Sequence, residues 1–125
     1  MARVLALVPD LLFGSRVQGA LGAAGHDVEL IDGEGRLRER LGDGALPAAG
    51  VLVVDMTVED LDGAGIVEAL LREGELREVR TLAFYSHVDA PARERAERAG
   101  FDLVVPRSRM AREGAELVTR LAASS

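Results

Sequence analysis

Residues 51–55 read Val-Leu-Val-Val-Asp, a continuous apolar run that ends in one acidic side chain. Uninterrupted runs of β-branched residues and leucine, without polar alternation, are typical of strands that are covered by helices on both faces. Such strands occur in parallel sheets. The run therefore predicts a buried parallel strand with Asp55 at its carboxyl end.

Four more runs of strand length lie on either side of this one, at residues 4–8, 28–31, 81–85 and 103–105. A segment with apolar residues at helical spacing follows each of the five runs. The helical segments are marked by Val17, Leu21 and Ala24, by Leu37 and Leu41, by Ile66, Leu70 and Leu71, by Ala92, Ala96 and Ala99, and by Leu117, Val118, Leu121 and Ala122.

Five repeats of strand and helix predict the fold class. With right-handed crossovers, this alternation produces an open, doubly wound α/β sheet with helices on both faces. We expect a single domain over residues 1–125, with five parallel strands.

The ends of the helices carry their own signals. The pair Ala-Gly precedes two of the strands, so that Gly25 and Gly100 are expected to end helices. Asp89 and Ser108 are side chains that favour a helix start, and each precedes a helical segment. Residues 42–50 are expected to form a loop.

Composition excludes several classes of protein. Hydrophobic residues make up 48% of the chain, too many for a disordered segment, and no apolar run approaches the roughly 20 residues of a membrane span. Pro9 and Asp10 interrupt the N-terminal apolar run, which we interpret as a strand and not as a signal peptide. We therefore expect a cytoplasmic protein that contacts no membrane. The absence of cysteine excludes disulfides and thiolate chemistry.

The charges exclude a nucleic-acid partner. The formal net charge is −6, and acidic and basic residues are interleaved without a basic stripe. All fifteen basic residues other than histidine are arginine. Chemistry that needs a lysine ammonium, such as phosphate binding by a P-loop, is therefore excluded.

Polar side chains follow four of the predicted strands. They are Asp10 after the first, Asp55 and Thr57 after the third, Ser86 after the fourth and Arg107 after the fifth. In doubly wound sheets, ligands bind outside the carboxyl ends of the strands. We expect these residues to share one crevice, where they could coordinate a divalent cation and hold a phosphoryl group or another small anion.

The spacing after Asp55 is more specific. Asp62 and Gly63 follow it seven and eight residues later. The chain resembles, over nearly its whole length, the receiver domain of bacterial response regulators, in which a phospho-accepting Asp after the third strand has Asp-Gly at this spacing. The chain resembles stand-alone, chemotaxis-type receivers. The resemblance implies a flavodoxin-like sheet with the strand order 2-1-3-4-5, and it implies that Asp55 is the phospho-acceptor.

The resemblance also implies roles for the other crevice residues. Magnesium would be held by Asp10, Asp55 and the carbonyl of Thr57, while Ser86 and Arg107 would contact the phosphoryl group. Arg107 stands where receivers have lysine, and it could pair either with the phosphoryl group or with Asp55.

Three positions depart from the receiver pattern. Pro9 replaces the first residue of the usual acidic pair, which weakens the magnesium site. Ser108 replaces the proline that normally follows the lysine, and Val104 stands where an aromatic switch residue is common. The departures point to divergence toward a pseudo-receiver.

Two functional hypotheses follow. The first is a stand-alone receiver-like signalling module, more a binding protein than an enzyme, with uncertain phosphorylation of Asp55. Its output would be a protein partner or a homodimer, bound through the face of the fourth helix, fifth strand and fifth helix. That face would carry Arg93, Glu94, Glu97, Arg98, Arg109, Arg112, Glu113, Glu116 and Arg120. The alternative is a small flavodoxin-like domain that binds, or acts on, a small-molecule anion with a divalent metal.

Simpler structural roles compete with these functions. Asp10 and Asp55 could be only helix caps or turn residues, and Thr57 and Ser86 could bond local backbone. His26 is interpreted as a surface turn residue. Residues 11–13, Leu-Leu-Phe, are interpreted as packing the first helix onto the sheet, and the glycines of that helix as allowing close helix packing.

Overall fold

Five strands and five helices alternate along the chain in the computed structural model, which describes residues 1–124. The strands are β1 (Arg3–Leu7), β2 (Asp27–Ile31), β3 (Val51–Asp55), β4 (Arg80–Tyr85) and β5 (Leu103–Pro106). The helices are α1 (Leu11–Ala23), α2 (Glu34–Gly42), α3 (Gly63–Arg72), α4 (Ala90–Ala99) and α5 (Arg107–Ala123).

The strands form one parallel sheet in the order β2-β1-β3-β4-β5, which confirms the predicted fold class and strand order. The register aligns the carboxyl ends of neighbouring strands, because Asp55 is paired with Phe84 and Tyr85 with Pro106. The loops that follow the strands therefore meet at one edge of the sheet.

Each face of the sheet has its own core. One face is packed with residues of α1 and α5, such as Val17, Leu21 and Leu117, and the other with residues of α2, α3 and α4, such as Leu37 and Leu70. All five are buried. Burial of such a side chain stabilises the fold by about 1.5–3 kcal/mol.

Two of the predicted helix ends are confirmed and one is wrong. Asp89 caps α4, accepting a hydrogen bond from the Ala92 amide at 3.1 Å, and Gly100 ends α4 with a φ of 100°. Ser108 does not precede α5, because β5 passes directly into a helix that begins at Arg107 with no side-chain cap.

His26 is a core residue and not the predicted surface turn. Only 6% of it is exposed. Its Nδ1 accepts a hydrogen bond from the Ala2 amide at 3.0 Å, and its Nε2 lies 3.0 Å from Thr119 Oγ1. The ring therefore joins the start of β1 to α5, a contact that local sequence cannot reveal.

Two interpretations of α1 are also wrong. Phe13 packs into the core, but Leu11 and Leu12 are 81% and 82% exposed. Gly19 and Gly22 are exposed, and a Cβ atom at either would meet nothing within 4 Å, so these glycines allow no close helix contact.

None of the helices within residues 1–124 is long and apolar enough to cross a membrane.

Candidate functional site

A cleft of about 760 Å³ opens at the carboxyl edge of the sheet, and we call it the site cleft. It contains four of the five residues that the sequence predicts for the site. The cleft is lined by Asp10, Phe13, Arg16, Thr57, Val58, Ser86, His87, Arg107, Ser108 and Ala111. The fifth residue, Asp55, ends β3 directly before this edge and is only 1% exposed.

Asp55 is held by its own neighbour. Its Oδ1 accepts hydrogen bonds from the Thr57 amide at 2.7 Å and from the Thr57 hydroxyl at 2.6 Å. No residue in the range 1–124 donates to Oδ2, and every fully buried side-chain oxygen in that range has a partner. Oδ2 is therefore the oxygen of Asp55 that Thr57 leaves unengaged, and it is the one that a metal or an electrophile would have to reach.

Asp10 has a structural role and faces the cleft as well. Its Oδ1 accepts hydrogen bonds from the amides of Leu12 at 2.9 Å and Phe13 at 3.2 Å, and so caps α1. Its Oδ2 lies 3.7 Å from Arg107 Nη2. One carboxylate thus fixes the start of α1 and pairs with the first residue of α5.

Arg107 pairs with Asp10 and not with Asp55, the partner that the sequence reasoning considered. Its guanidinium lies over the ring of Phe13, with the Cζ atom 4.2 Å from the ring centroid. A guanidinium over an aromatic face is attracted by the negative face of the ring. This contact holds Arg107 against α1, and no Arg107–Asp55 ion pair occurs among the described residues.

Ser86 lies in the turn between β4 and α4. Its carbonyl oxygen accepts a hydrogen bond from the Asp89 amide at 2.8 Å, which fixes the turn. Its hydroxyl makes no hydrogen bond within residues 1–124, so this group is free to meet a ligand in the cleft. His87, which follows it, is exposed at the rim.

The oxygen donors of the site cleft can be compared with the needs of magnesium. Asp10 Oδ2, Asp55 Oδ2 and the carbonyl of Thr57 are hard oxygen donors of the type that magnesium takes together with waters. Pro9 adds no side-chain ligand, and Arg107 already neutralises Asp10. Residues 1–124 contain no group of three acidic, histidine or cysteine residues placed to hold a metal. The set fits a weakly bound magnesium ion that keeps most of its waters.

Asp62 and Gly63 have an architectural role. Asp62 caps α3 by accepting a hydrogen bond from the Gly65 amide at 3.0 Å. A Cβ atom on Gly63 would lie 2.5 Å from Val54 Cγ1, so only glycine allows α3 to begin this close to β3. Neither residue lines the site cleft.

Sequence reasoning missed Phe13 and Arg16. Both lie on α1, three and six residues after Asp10, and both line the site cleft. Arg16 forms no ion pair with any residue of the range 1–124. The helical spacing from Asp10 is the signal that could have indicated them.

Solved structures of receiver domains are similar to this chain along almost its whole length. One is a response regulator from Chloroflexus aurantiacus, which is 15% identical with a TM-score of 0.85, the match covering 98% of both chains. Another is the receiver domain of TorR, a response regulator of the TMAO respiratory system. It is 18% identical with a TM-score of 0.81, and the match covers 97% of this chain and 96% of that one. A third is the non-phosphorylated receiver domain of HemR from Leptospira biflexa. It is 17% identical with a TM-score of 0.79, and the match covers 100% of this chain and 97% of that one.

No family profile and no curated protein matches the sequence. At these identities the likeness is one of fold: the chain has the receiver fold, as its sequence motifs predict.

Proposed function

We propose that this chain is a receiver-like signalling module in which Asp55 is a slow phospho-acceptor and the output is binding to another protein. The observation that carries the proposal is the placement of Asp55 at the end of β3, beside a cleft that holds Asp10, Thr57, Ser86 and Arg107. The receiver fold of the chain supports it.

The proposed chemistry is attack by Asp55 Oδ2 on the phosphorus of an acyl phosphate. A new bond forms between Oδ2 and phosphorus, and the bond from phosphorus to the donor's acyl oxygen breaks, so that a carboxylate leaves. Magnesium would offset the charge of the phosphoryl oxygens, and the Ser86 hydroxyl would donate to one of them.

Three features of the site slow this reaction. Thr57 ties Asp55 Oδ1, Pro9 supplies no ligand for the metal, and Arg107 is engaged by Asp10 and Phe13. Arg107 also carries a planar guanidinium, which is not a geometric copy of the lysine ammonium found in ordinary receivers.

Intact-mass spectrometry with a small acyl phosphate and Mg²⁺ tests the proposal. We expect slow addition of one phosphoryl group to the wild type, none to Asp55→Asn, and an unchanged rate for Glu75→Gln, whose exposed carboxylate lies in the loop before β4, at the opposite edge of the sheet. Labelling that persists in Asp55→Asn would refute the assignment of the acceptor.

Pro9→Asp provides a gain-of-function arm for the same experiment. A second carboxylate beside Asp10 adds a charged ligand, and cation affinity rises with the number of such ligands. We expect labelling at a lower Mg²⁺ concentration, by about tenfold if the new ligand is worth 1.4 kcal/mol. An unchanged Mg²⁺ dependence would show that Pro9 is not what limits the metal.

The proposed output surface is the face formed by α4, β5 and α5. Seven of its nine charges are already paired within their own helices, as in Arg93 with Glu97 at 3.6 Å and Arg120 with Glu116 at 3.7 Å. Exposed pairs of this kind contribute only about 0–1 kcal/mol, so they would not hold two copies together. We therefore assign this face to a different protein and not to a homodimer.

Sedimentation tests that choice. We expect the mass distribution of Arg112→Glu with Arg120→Glu to match that of the wild type. A wild-type dimer that this reversal dissociates would assign the face to self-association instead.

A second candidate function is binding of a small organic anion, favoured by the volume of the site cleft and by Arg16. A cleft of about 760 Å³ exceeds what one phosphoryl group occupies, and small-molecule sites span about 300–1,000 Å³. Saturable calorimetric binding of a phosphomonoester, lost in Arg16→Ala without loss of Asp55 labelling, would favour this candidate.

A further inference from the structure

Two clefts of opposite charge adjoin at the carboxyl edge of the sheet. The site cleft presents the cations Arg16 and Arg107, with Asp10 as its one carboxylate. The second, which we call the acidic cleft, has a volume of about 670 Å³. It is lined by Pro9, Asp32, Gly33, Glu34, Val58, Asp60, Leu61, Asp62, Gly65 and Ile66, with no basic residue.

Charges in both clefts lack partners in the monomer. Within residues 1–124, Arg16 in the site cleft forms no ion pair, and neither do Asp32 and Asp60 in the acidic cleft. Val58 lines both clefts and so marks the boundary between them. The two clefts adjoin at Val58, with the unpaired cation Arg16 on one side and the unpaired carboxylates Asp32 and Asp60 on the other.

Apolar side chains accompany this surface. Leu11, Leu12 and Val88 are 81%, 82% and 79% exposed, and they make up three of the five large hydrophobic residues that the described chain exposes. Each lies within two residues of a side chain that lines the site cleft. Exposed apolar side chains that adjoin, in sequence, the lining of a charged cleft are candidates for contact with another molecule.

We propose that two copies of this chain associate through the carboxyl edge of the sheet, about a two-fold axis close to Val58. In a two-fold interface the same patch lies on both copies, and residue pairs are exchanged by the axis. An axis between the clefts sets each site cleft against the acidic cleft of the other copy. Leu11, Leu12 and Val88 then lose contact with water.

A second copy explains the surface better than a partner of one charge. An acidic partner would satisfy only the site cleft, and a basic one only the acidic cleft, whereas a second copy satisfies both at once. The proposal concerns self-association, and it stands whether or not Asp55 accepts a phosphoryl group. It also closes the site cleft, so the dimer would react with small phosphodonors more slowly than the monomer.

Two charge-changed variants test the proposal. Arg16→Glu with His87→Glu makes both clefts acidic. Asp32→Arg with Asp60→Arg gives both clefts unpaired arginines, because the remaining carboxylates of the acidic cleft, Glu34 and Asp62, are already paired with Arg38 and Arg95. Arg16, Asp32 and Asp60 make no ion pair in the described chain, and the ring of His87 is exposed, so we expect both variants to fold, as circular dichroism will show.

Sedimentation velocity over a range of concentrations gives the readout. We expect the wild type to form a dimer that weakens with salt, and each variant alone to dimerise at least about tenfold more weakly, because like charges then face each other. An equimolar mixture of the two variants should form a heterodimer. Arg112→Glu with Arg120→Glu, on a different surface, is the matched control and should dimerise as the wild type does.

Four results would overturn the proposal. One is a wild type that stays monomeric at millimolar concentration. A second is a dimer that either variant alone forms as well as the wild type does. A third is a mixture of the two variants that does not associate. The last is growth into species larger than a dimer, since head-to-tail contact between the clefts does not close.

Discussion

Single side chains at the carboxyl edge of the sheet serve the fold and the site together. Asp10 caps α1 through Oδ1 and meets Arg107 through Oδ2. Asp55 is fixed by Thr57 through Oδ1, while its Oδ2 has no hydrogen-bond donor within residues 1–124. The sequence presented cap and site residue as competing roles for these two acids. Because each carboxylate has two oxygens, one role does not exclude the other.

His26 is a buried polar residue outside the site, and both of its ring nitrogens have hydrogen-bond partners. Its Nδ1 can only accept from the Ala2 amide, so its Nε2 carries the proton and donates towards Thr119 Oγ1 and the Ala115 carbonyl. The Thr119 hydroxyl itself donates to the Ala115 carbonyl at 2.9 Å. The ring therefore completes a small network that joins β1 to α5.

We predict that His26→Ala lowers the free energy of unfolding by about 1–3 kcal/mol, because it leaves the buried Ala2 amide without an acceptor. Urea denaturation measures the difference. His87→Ala is the matched control, since His87 is exposed, and a change within about 0.5 kcal/mol is expected there. Equal effects of the two substitutions would show that the network contributes nothing.

At the scale of elements, the strands could be predicted because the information is local, whereas their order was predicted from the resemblance to receivers. Runs such as Val51–Val54 are continuous and β-branched, and only a sheet covered on both faces accommodates them. The contacts that escaped prediction join distant parts of the chain. His26 meets Ala115, which lies 89 residues further along, and Arg107 meets Asp10 only once α1 and α5 share a face.

The edge strand β2 is held by a cluster of charges. Glu29 accepts hydrogen bonds from Arg3 Nη2 at 2.7 Å and from Arg40 Nε and Nη2 at 2.9 and 3.0 Å. These contacts lower the pKa of Glu29 below its ordinary value. The hydrogen bond from Arg40 is the largest cause, and Arg3 adds to it. The cluster ties β2 to β1 and to α2.

We predict that Glu29→Gln lowers the free energy of unfolding at neutral pH by about 1–2 kcal/mol. A carboxyl whose pKa is lowered by folding stabilises the protein above its unfolded-state pKa, and this contribution is lost as the pH falls through the folded-state pKa. The difference in unfolding free energy between wild type and variant should therefore decrease as the pH falls below the ordinary pKa of a glutamate.

Thermal unfolding at a series of pH values measures this. Glu75→Gln removes an exposed carboxylate that forms no ion pair within residues 1–124, and it should change stability little at any pH. A Glu29→Gln difference that stays constant down to pH 3 would contradict the role given to the two arginines.

At the scale of the whole molecule, the proposed output surface crosses the boundary between the two cores. Helix α4 packs on the face with α3, whereas α5 packs on the face with α1. An arginine joins each of α4 and α5 to the neighbouring helix on its own face. Arg107 joins α5 to Asp10 of the α1 cap, and Arg95 joins α4 to Glu68 of α3 at 2.8 Å. Of these two arginines, only Arg107 lines the site cleft.

A ligand in the site cleft can therefore act on α5 directly, through Arg107. It has no such contact with the arginine that holds α4, because Arg95 does not line the cleft. A ligand that draws Arg107 away from Asp10 removes the bridge between α1 and α5, while the bridge of Arg95 is unaffected. We therefore predict that Arg107→Ala speeds amide hydrogen exchange in the first two turns of α5, and that Arg95→Ala speeds it in α4.

The expected size is modest, because both arginines are more than a third exposed and such pairs contribute about 0–1 kcal/mol, which corresponds to exchange up to about fivefold faster. Exchange measured by mass spectrometry on peptides from α4 and α5 distinguishes the two variants. If Arg107→Ala speeded exchange in both helices equally, the two faces would be opening as one unit, and the cleft would act on the output surface through the sheet instead of through Arg107.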